Sequence, residues 1–321
     1  MWLEPFVTGR YDAHSGTVNA AMGESMRTSR RFFWFLVFSG VCLAQSASPP
    51  AAEPLQALLD RATKGDVKAE RALGVMYRDG QGARQDYAEA VRWFRKAAGQ
   101  GSAEAANDLG FLYDNGQGVP EDHAEAARWY RRAADQGNPD AEFNLGSLYD
   151  TGQGVPQDHA EAARWYRKAA GHGDLDAAFD LGVMYEEGQG VVRDYTEAAR
   201  WYRQAAEQGI GVAQTALATL YTKGRGVPQD LSEAVRWYRK AAEQGFAPAL
   251  HELGDRYAAG RGVPQDYVAA HVWLDLAAFR ARGPLREEYA AERDGVARKL
   301  TPEQIAEAKR RALELKTKWG R

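Results

Sequence analysis

The sequence predicts an all-α protein: an α/α solenoid of six 36-residue helix-turn-helix repeats, with capping helices at its N- and C-terminal ends. Three observations carry this. Tryptophan recurs at Trp93, Trp129, Trp165, Trp201, Trp237 and Trp273, an unbroken step of 36 residues. Tyrosine keeps the same step at Tyr77, Tyr113, Tyr149, Tyr185, Tyr221 and Tyr257. Glycine pairs follow it, from Gly80/Gly82 to Gly260/Gly262. Six segments therefore solve one packing problem.

In chain order, residues 1–25 read as an extension ahead of a start at Met26. Residues 26–46, "MRTSRRFFWFLVFSGVCLAQS", have the pattern of a secretory signal peptide. Arg27, Arg30 and Arg31 form the positive region, and the uncharged run Phe32 to Ala44 is too short for a spanning helix. Ala44-Gln45-Ser46 supplies small residues at a cleavage spacing. The competing reading is a buried helix of a cytoplasmic protein. Cys42 raises lipidation, but Val41 stands where a small residue is wanted. Residues 47–54 are a linker, and 55–65 an N-terminal capping helix.

The six repeats span 66–283. In the unit at 102–137, Ser102 caps a first helix near 103–114. Ala105, Leu109, Leu112 and Tyr113 form its apolar stripe. "GQGVPED" is the turn: glycine admits positive φ, and Pro120 ends the helix. Asp122 caps the second helix, and Glu125, three residues on, makes a capping-box-like pair. Ala126, Trp129, Tyr130, Ala133 and Ala134 are the second stripe. No unit buries its stripes alone, so the units stack. In the last unit, Val272 and Leu276 replace residues equivalent to Arg92 and Lys96. The tail at 284–321 is the expected cover. Its final helix opens on Thr301-Pro302-Glu303-Gln304 and carries Ile305, Ala308, Ala312 and Leu315 on one face.

Composition narrows the function. The 321 residues are 45% hydrophobic and 26% charged, with net charge −3 and acids and bases mixed throughout. A broad cationic surface for nucleic acid is not expected. Cys42 is the one cysteine. Cleavage after 46 would leave no disulfide, cysteine nucleophile or thiolate metal site. His123 and His159 take the position of Tyr87 and Tyr195, a packing position. His172 falls in a loop, and His271 stands where Val91 and Ala127 stand. "HELGD" at 251–255 lacks the second histidine of a zinc-protease helix. Ser48, Ser102, Ser147 and Ser232 have no lysine three residues on, and there is no Gly-x-Ser-x-Gly or P-loop. The carboxylates are mostly helix caps. No catalytic residue, metal ligand or cofactor is expected.

The pattern Ala-x3-Leu-Gly-x2-Tyr, Gly-x-Gly-Val-x-x-Asp, Glu-Ala-x-x-Trp-Tyr-x-x-Ala-Ala-x-x-Gly resembles the Sel1-like repeat family, relatives of the tetratricopeptide repeats. The likeness covers about 66–283, and the tail resembles the closing segment of many bacterial members. The resemblance implies a right-handed α/α solenoid that acts as an adaptor. Exported members are associated with host contact, envelope signalling and assembly of secreted polymers. Some cysteine-rich members are described as binding or hydrolysing β-lactams. They carry a disulfide in each repeat, and this chain does not, so that activity is not carried over. Ala218 replaces the helix A glycine in repeat five, and Ala269 the capping glutamate in repeat six.

In related solenoids the first helices line a concave groove. Here the unrepeated positions of those helices include Asn107, Phe143 and Phe179, then Phe111, Ser147 and Val183, then Asp114, Asp150 and Glu186. Spacing i, i+4, i+7 puts each set on one helical face. Phe111, Phe143 and Phe179 would be aromatic anchors, and Asp114, Asp150 and Glu186 an acidic edge. The reading requires Phe143 and Phe179 to be accessible; otherwise the phenylalanines are extra core. The expected function is an exported, periplasmic or secreted, non-catalytic adaptor. It would bind a protein partner, an extended segment with basic and apolar residues, without nucleic acid or stable membrane insertion. The alternatives are a cell-wall or β-lactam hydrolase on a helical scaffold, and a glycan-binding component of an envelope assembly.

Overall fold

The computed structural model describes residues 54–319, all within the unit that spans 47–321. The expectations for 1–25, 26–46 and 47–53 lie outside the described residues. Among the described residues there are fifteen helices and no strand. A short α1 (Leu55–Ala62) leads. The first helices of the repeats, the A helices, are α2 (Val67–Asp79), α4 (Ala103–Asp114), α6 (Pro139–Thr151), α8 (Leu175–Glu187), α10 (Gly211–Lys223) and α12 (Ala247–Ala259). The second, B helices are α3 (Tyr87–Gly99), α5 (His123–Ala134), α7 (His159–Gly171), α9 (Tyr195–Glu207), α11 (Leu231–Glu243) and α13 (Tyr267–Arg280). The tail supplies α14 (Pro284–Ala297) and α15 (Pro302–Trp319).

Capping explains where the helices begin. Asp86, Asp122, Asp158, Asp194, Asp230 and Asp266 each accept a backbone N–H from the first turn of their B helix. The backbone N–H of each aspartate is donated to the tyrosine carbonyl of the preceding A helix, at 2.8–3.1 Å from Asp86–Tyr77 to Asp266–Tyr257. That bond takes the donor which a capping-box glutamate would satisfy. The glutamates turn outward instead and pair with the next arginine, as in Glu125–Arg128 at 2.9 Å and Glu161–Arg164 at 2.8 Å. The capping-box expectation thus holds for its aspartate half only. At α15 the box is complete: Thr301 N–H donates to Gln304 Oε1 at 2.9 Å, and Gln304 N–H to Thr301 Oγ1 at 3.3 Å.

Each A helix packs on its own B helix, and each B helix on the next A helix. Small alanines allow the close approach, and buried rings fill the gaps. Tyr130, Tyr166 and Tyr238 are 1% exposed and Tyr202 0%. Tyr130, Tyr166 and Tyr202 lie against the partner A helix at Gly110, Gly146 and Gly182, and Phe94 lies against Gly74 in the same way. In repeat five the glycine is Ala218, and Tyr238 Oη meets Thr219 Oγ1 at 3.0 Å.

Two contacts join one repeat to the next. The B-helix arginines reach forward 18 residues to the tyrosine hydroxyl of the next A helix, as in Arg95–Tyr113 at 2.7 Å, Arg167–Tyr185 at 2.8 Å and Arg203–Tyr221 at 2.9 Å. The second turn glycine seats on the start of the preceding B helix. A Cβ at Gly118, Gly154, Gly190, Gly226 or Gly262 would collide with the backbone of Tyr87, His123, His159, Tyr195 or Leu231. At Gly154 the φ of +69° adds to the requirement for glycine.

The arginine ladder ends in a reversal of charge. Its sixth position is Asp275, which accepts from Arg293 of α14 at 3.0 Å and Lys316 of α15 at 2.7 Å. Val272 and Leu276 are 5% and 0% exposed beneath these helices, which both pack on α13. Ala308 and Ala312 are buried, with Ile305 and Leu315 partly so, matching the apolar face read for the final helix.

Candidate functional site

The unrepeated positions of the A helices divide into three groups. The first lies where adjacent A helices meet. Arg71 donates to Asp108 Oδ2 at 2.9 Å and Asn144 to Asn107 Oδ1 at 3.0 Å, each linking one A helix to the next. At the same position in repeats three and four stand Phe143 and Phe179, 8% and 1% exposed. Their rings tilt against Tyr166 and Tyr202 at 5.5 and 5.6 Å between centroids. Phe143 and Phe179 are therefore core, not anchors; an apolar ring beside a buried tyrosine gains more from packing than from exposure. Val183, 7% exposed, is buried too.

The second group is the expected acidic edge, and it is largely turned inward. Asp114 pairs with His123 Nδ1 at 2.7 Å and Asp150 with His159 Nδ1 at 2.8 Å. Asp150 is only 4% exposed. Glu186 accepts from Tyr202 Oη at 2.9 Å. Burial, and then the adjacent Glu186 carboxylate, push the Tyr202 hydroxyl well above its ordinary 10.0. Asp150 thus leaves the accessible set, while Asp114 and Glu186 remain partly exposed and are engaged inside the fold. His123 and His159 serve as the partners of these carboxylates rather than as plain packing groups. His172, at the end of α7, likewise meets the buried Glu142 at 2.8 Å.

The third group is accessible. On α6 the outward stripe is Asp140, Asn144, Ser147 and Thr151, exposed at its ends and partly exposed between. On α4 the equivalent residues Glu104 and Phe111, with Asn115 at its C-cap, reach solvent, and Asp108 is covered. On α8 Asp176 and Glu187 do so, with Asp180 and Val183 buried. Glu104 is held below the ordinary 4.5 by its own backbone N–H and then by the Ser102 hydroxyl, which donates to it at 3.0 Å. Of the nine candidate residues, Asn107, Phe111, Asp114, Ser147 and Glu186 keep partial exposure. Asn144 belongs beside them, one residue from the position singled out by sequence. Only its place on the stripe with Asp140 and Ser147, at i+4 and i+7, could have pointed to it.

Among the described residues no group of three or more His, Cys, Asp or Glu side chains is placed to hold a metal ion. Among them, too, no helix is long and apolar enough to cross a membrane. What the face offers is a row of polar and acidic groups, with the ring of Phe111 among them, on successive helices.

Comparison with known proteins identifies the repeat. The Sel1 repeat model matches residues 67–102, 103–138, 139–174, 175–210, 211–246 and 247–278. The chain is similar to c5321, described as a protective antigen present in uropathogenic Escherichia coli strains and displaying an SLR fold. The identity is 37% and the TM-score 0.73, over 82% of this chain and 56% of the antigen. The chain thus spans little more than half the length of that relative. It is also similar to a Sel1 repeat protein from Oxalobacter formigenes, with 36% identity and TM-score 0.60, over 71% of this chain and 100% of the other. No curated protein matches the chain.

Proposed function

The chain belongs to the Sel1 repeat family, and from that premise we propose that it is an exported adaptor that holds a protein partner on its A-helix face. Sel1 repeat proteins are in general non-catalytic scaffolds for protein interaction. The partner fits best as an extended segment carrying basic and apolar residues, which would run across α4, α6 and α8. Glu104, Asp140, Asp176 and Glu187 supply negative charge, and Phe111, Ser147 and Asn144 the contacts between. Asn107, Asp114 and Glu186 border this stripe. Export rests on the signal-like segment 26–46, and N-terminal sequencing of the protein from its native host tests it: a chain that retains Arg27 to Ala44 would sink export.

One observation carries the binding reading. The capping aspartates and the ladder of arginine and tyrosine recur and bond within the fold, whereas the accessible residues of the stripe on α4, α6 and α8 change from repeat to repeat. Positions that build the solenoid need to be the same in each unit; positions that meet a non-repeating ligand do not. The test is cross-linking in the native envelope with tagged protein, beside a Phe111→Asp, Ser147→Arg variant of equal thermal stability. A protein captured by the wild type and lost in the variant supports the reading. Equal capture by both, or capture of soluble glycan with no protein, defeats it and favours an envelope component that binds glycan.

A further inference from the structure

One histidine departs from its register. The equivalent residues of the first five B helices are Val91, Ala127, Ala163, Ala199 and Val235, all buried and apolar. In the sixth the residue is His271, 2% exposed. Its Nδ1 has no hydrogen-bond partner, although the atom is inaccessible to water. The charged groups that face it are Asp275 on its own helix, Arg293 and Asp294 on α14, and Lys309 on α15. Asp275 is already held by Arg293 at 3.0 Å and Lys316 at 2.7 Å, and Asp294 by Arg293 at 2.7 Å. Both carboxylates are thus already engaged with other cations, which weakens their pull on an imidazolium. Burial first, opposed by Asp275 and aided by Arg293 and Lys309, keeps the ring below its ordinary 6.5.

We propose that His271 is an acid-sensitive latch on the C-terminal helices: neutral, it lets α14 and α15 seat on α13, and its protonation releases them and uncovers Val272 and Leu276. The direction follows from proton linkage. In the closed state the ring binds a proton only below its lowered value; once α14 and α15 lift, it binds one near 6.5. The cap is therefore fully held above that pH and weakens as pH falls through it. While the closed ring stays neutral, the opening constant rises by up to about tenfold per pH unit. His251 of α12 pairs with Glu292 of α14 at 2.7 Å and stacks on Tyr289 at 4.3 Å. This contact holds α14 to α12 independently of His271, and its removal serves as a control.

Hydrogen exchange of the full chain between pH 7.5 and 5.0, corrected for intrinsic rates, tests the latch. Peptides of α5–α9 serve as the internal reference. In the wild type the opening of 284–319 is expected to rise as pH falls, by a factor that levels off once the closed ring itself takes up a proton. In His271→Val it is expected to stay flat, and valine already fills this position in repeats one and five. In His251→Gln the rise is expected to persist. No rise in the wild type, an equal rise in His271→Val, or loss of the rise in His251→Gln would overturn the proposal. A side-chain NMR titration of the wild type reads the same claim without a variant, because a His271 ring that titrates at or above 6.5 in the folded protein also overturns it.

Discussion

At the scale of single residues, the repeat runs on matched pairs of ring and glycine. A Cβ on Gly146 would stand 2.8 Å from Cδ1 of Tyr166, and Phe143 holds that tyrosine from another side. Gly146→Ala is expected to destabilise the protein by about 1–3 kcal/mol, because the ring has no free space to enter; the urea midpoint checks it. The glycine was legible from its recurrence beside an invariant aromatic. The fate of Phe143 and Phe179 was not. Variation between repeats was read as freedom to meet a ligand, yet at that position adjacent A helices touch. Arg71 found Asp108, Asn107 found Asn144, and each phenylalanine found a tyrosine. Neighbour-specific packing and ligand contact leave the same trace in one sequence, and only burial separates them.

At the scale of elements, the C-terminal helices show how a repeat array is brought to a close. The apolar exchange at Val272 and Leu276 was legible beforehand, as was the amphipathic tail that covers it. The electrostatic half was missed, since Asp275 looks like an ordinary exposed acid until its place at the end of the arginine ladder is seen. Burial works to raise its carboxyl, but Lys316 and Arg293 outweigh that and hold it below the ordinary 3.8. Its contribution to stability is then present above 3.8 and lost as pH falls through the lower folded value. Asp275→Asn is expected to cost about 1–3 kcal/mol at neutral pH by weakening two charged hydrogen bonds. It should also remove this part of the acid loss, which thermal melts across pH 2–5 would show, on the order of 1 kcal/mol per pH unit. This window lies well below the one in which His271 acts, so the two are separable in one series.

At the scale of the whole molecule, the described repeats pack mainly on their immediate neighbours, and loss of an end is felt first by the units beside it. A chain ending at residue 283 leaves Val272 and Leu276 uncovered. It is expected to associate in solution, as light scattering would detect, while Val272→Arg with Leu276→Lys in that shortened chain restores the monomer. Failure of the double change to do so would mean that α14 and α15 hold the last repeat together rather than merely cover it. The turn glycines have a different bearing on the molecule at large. Where Gly118, Gly154, Gly190, Gly226 and Gly262 rest on the main chain of the preceding unit, no side chain intervenes. The pitch of the array is thereby set by peptide groups, which substitution does not alter. The surface can change its chemistry one unit at a time while its ruler stays fixed.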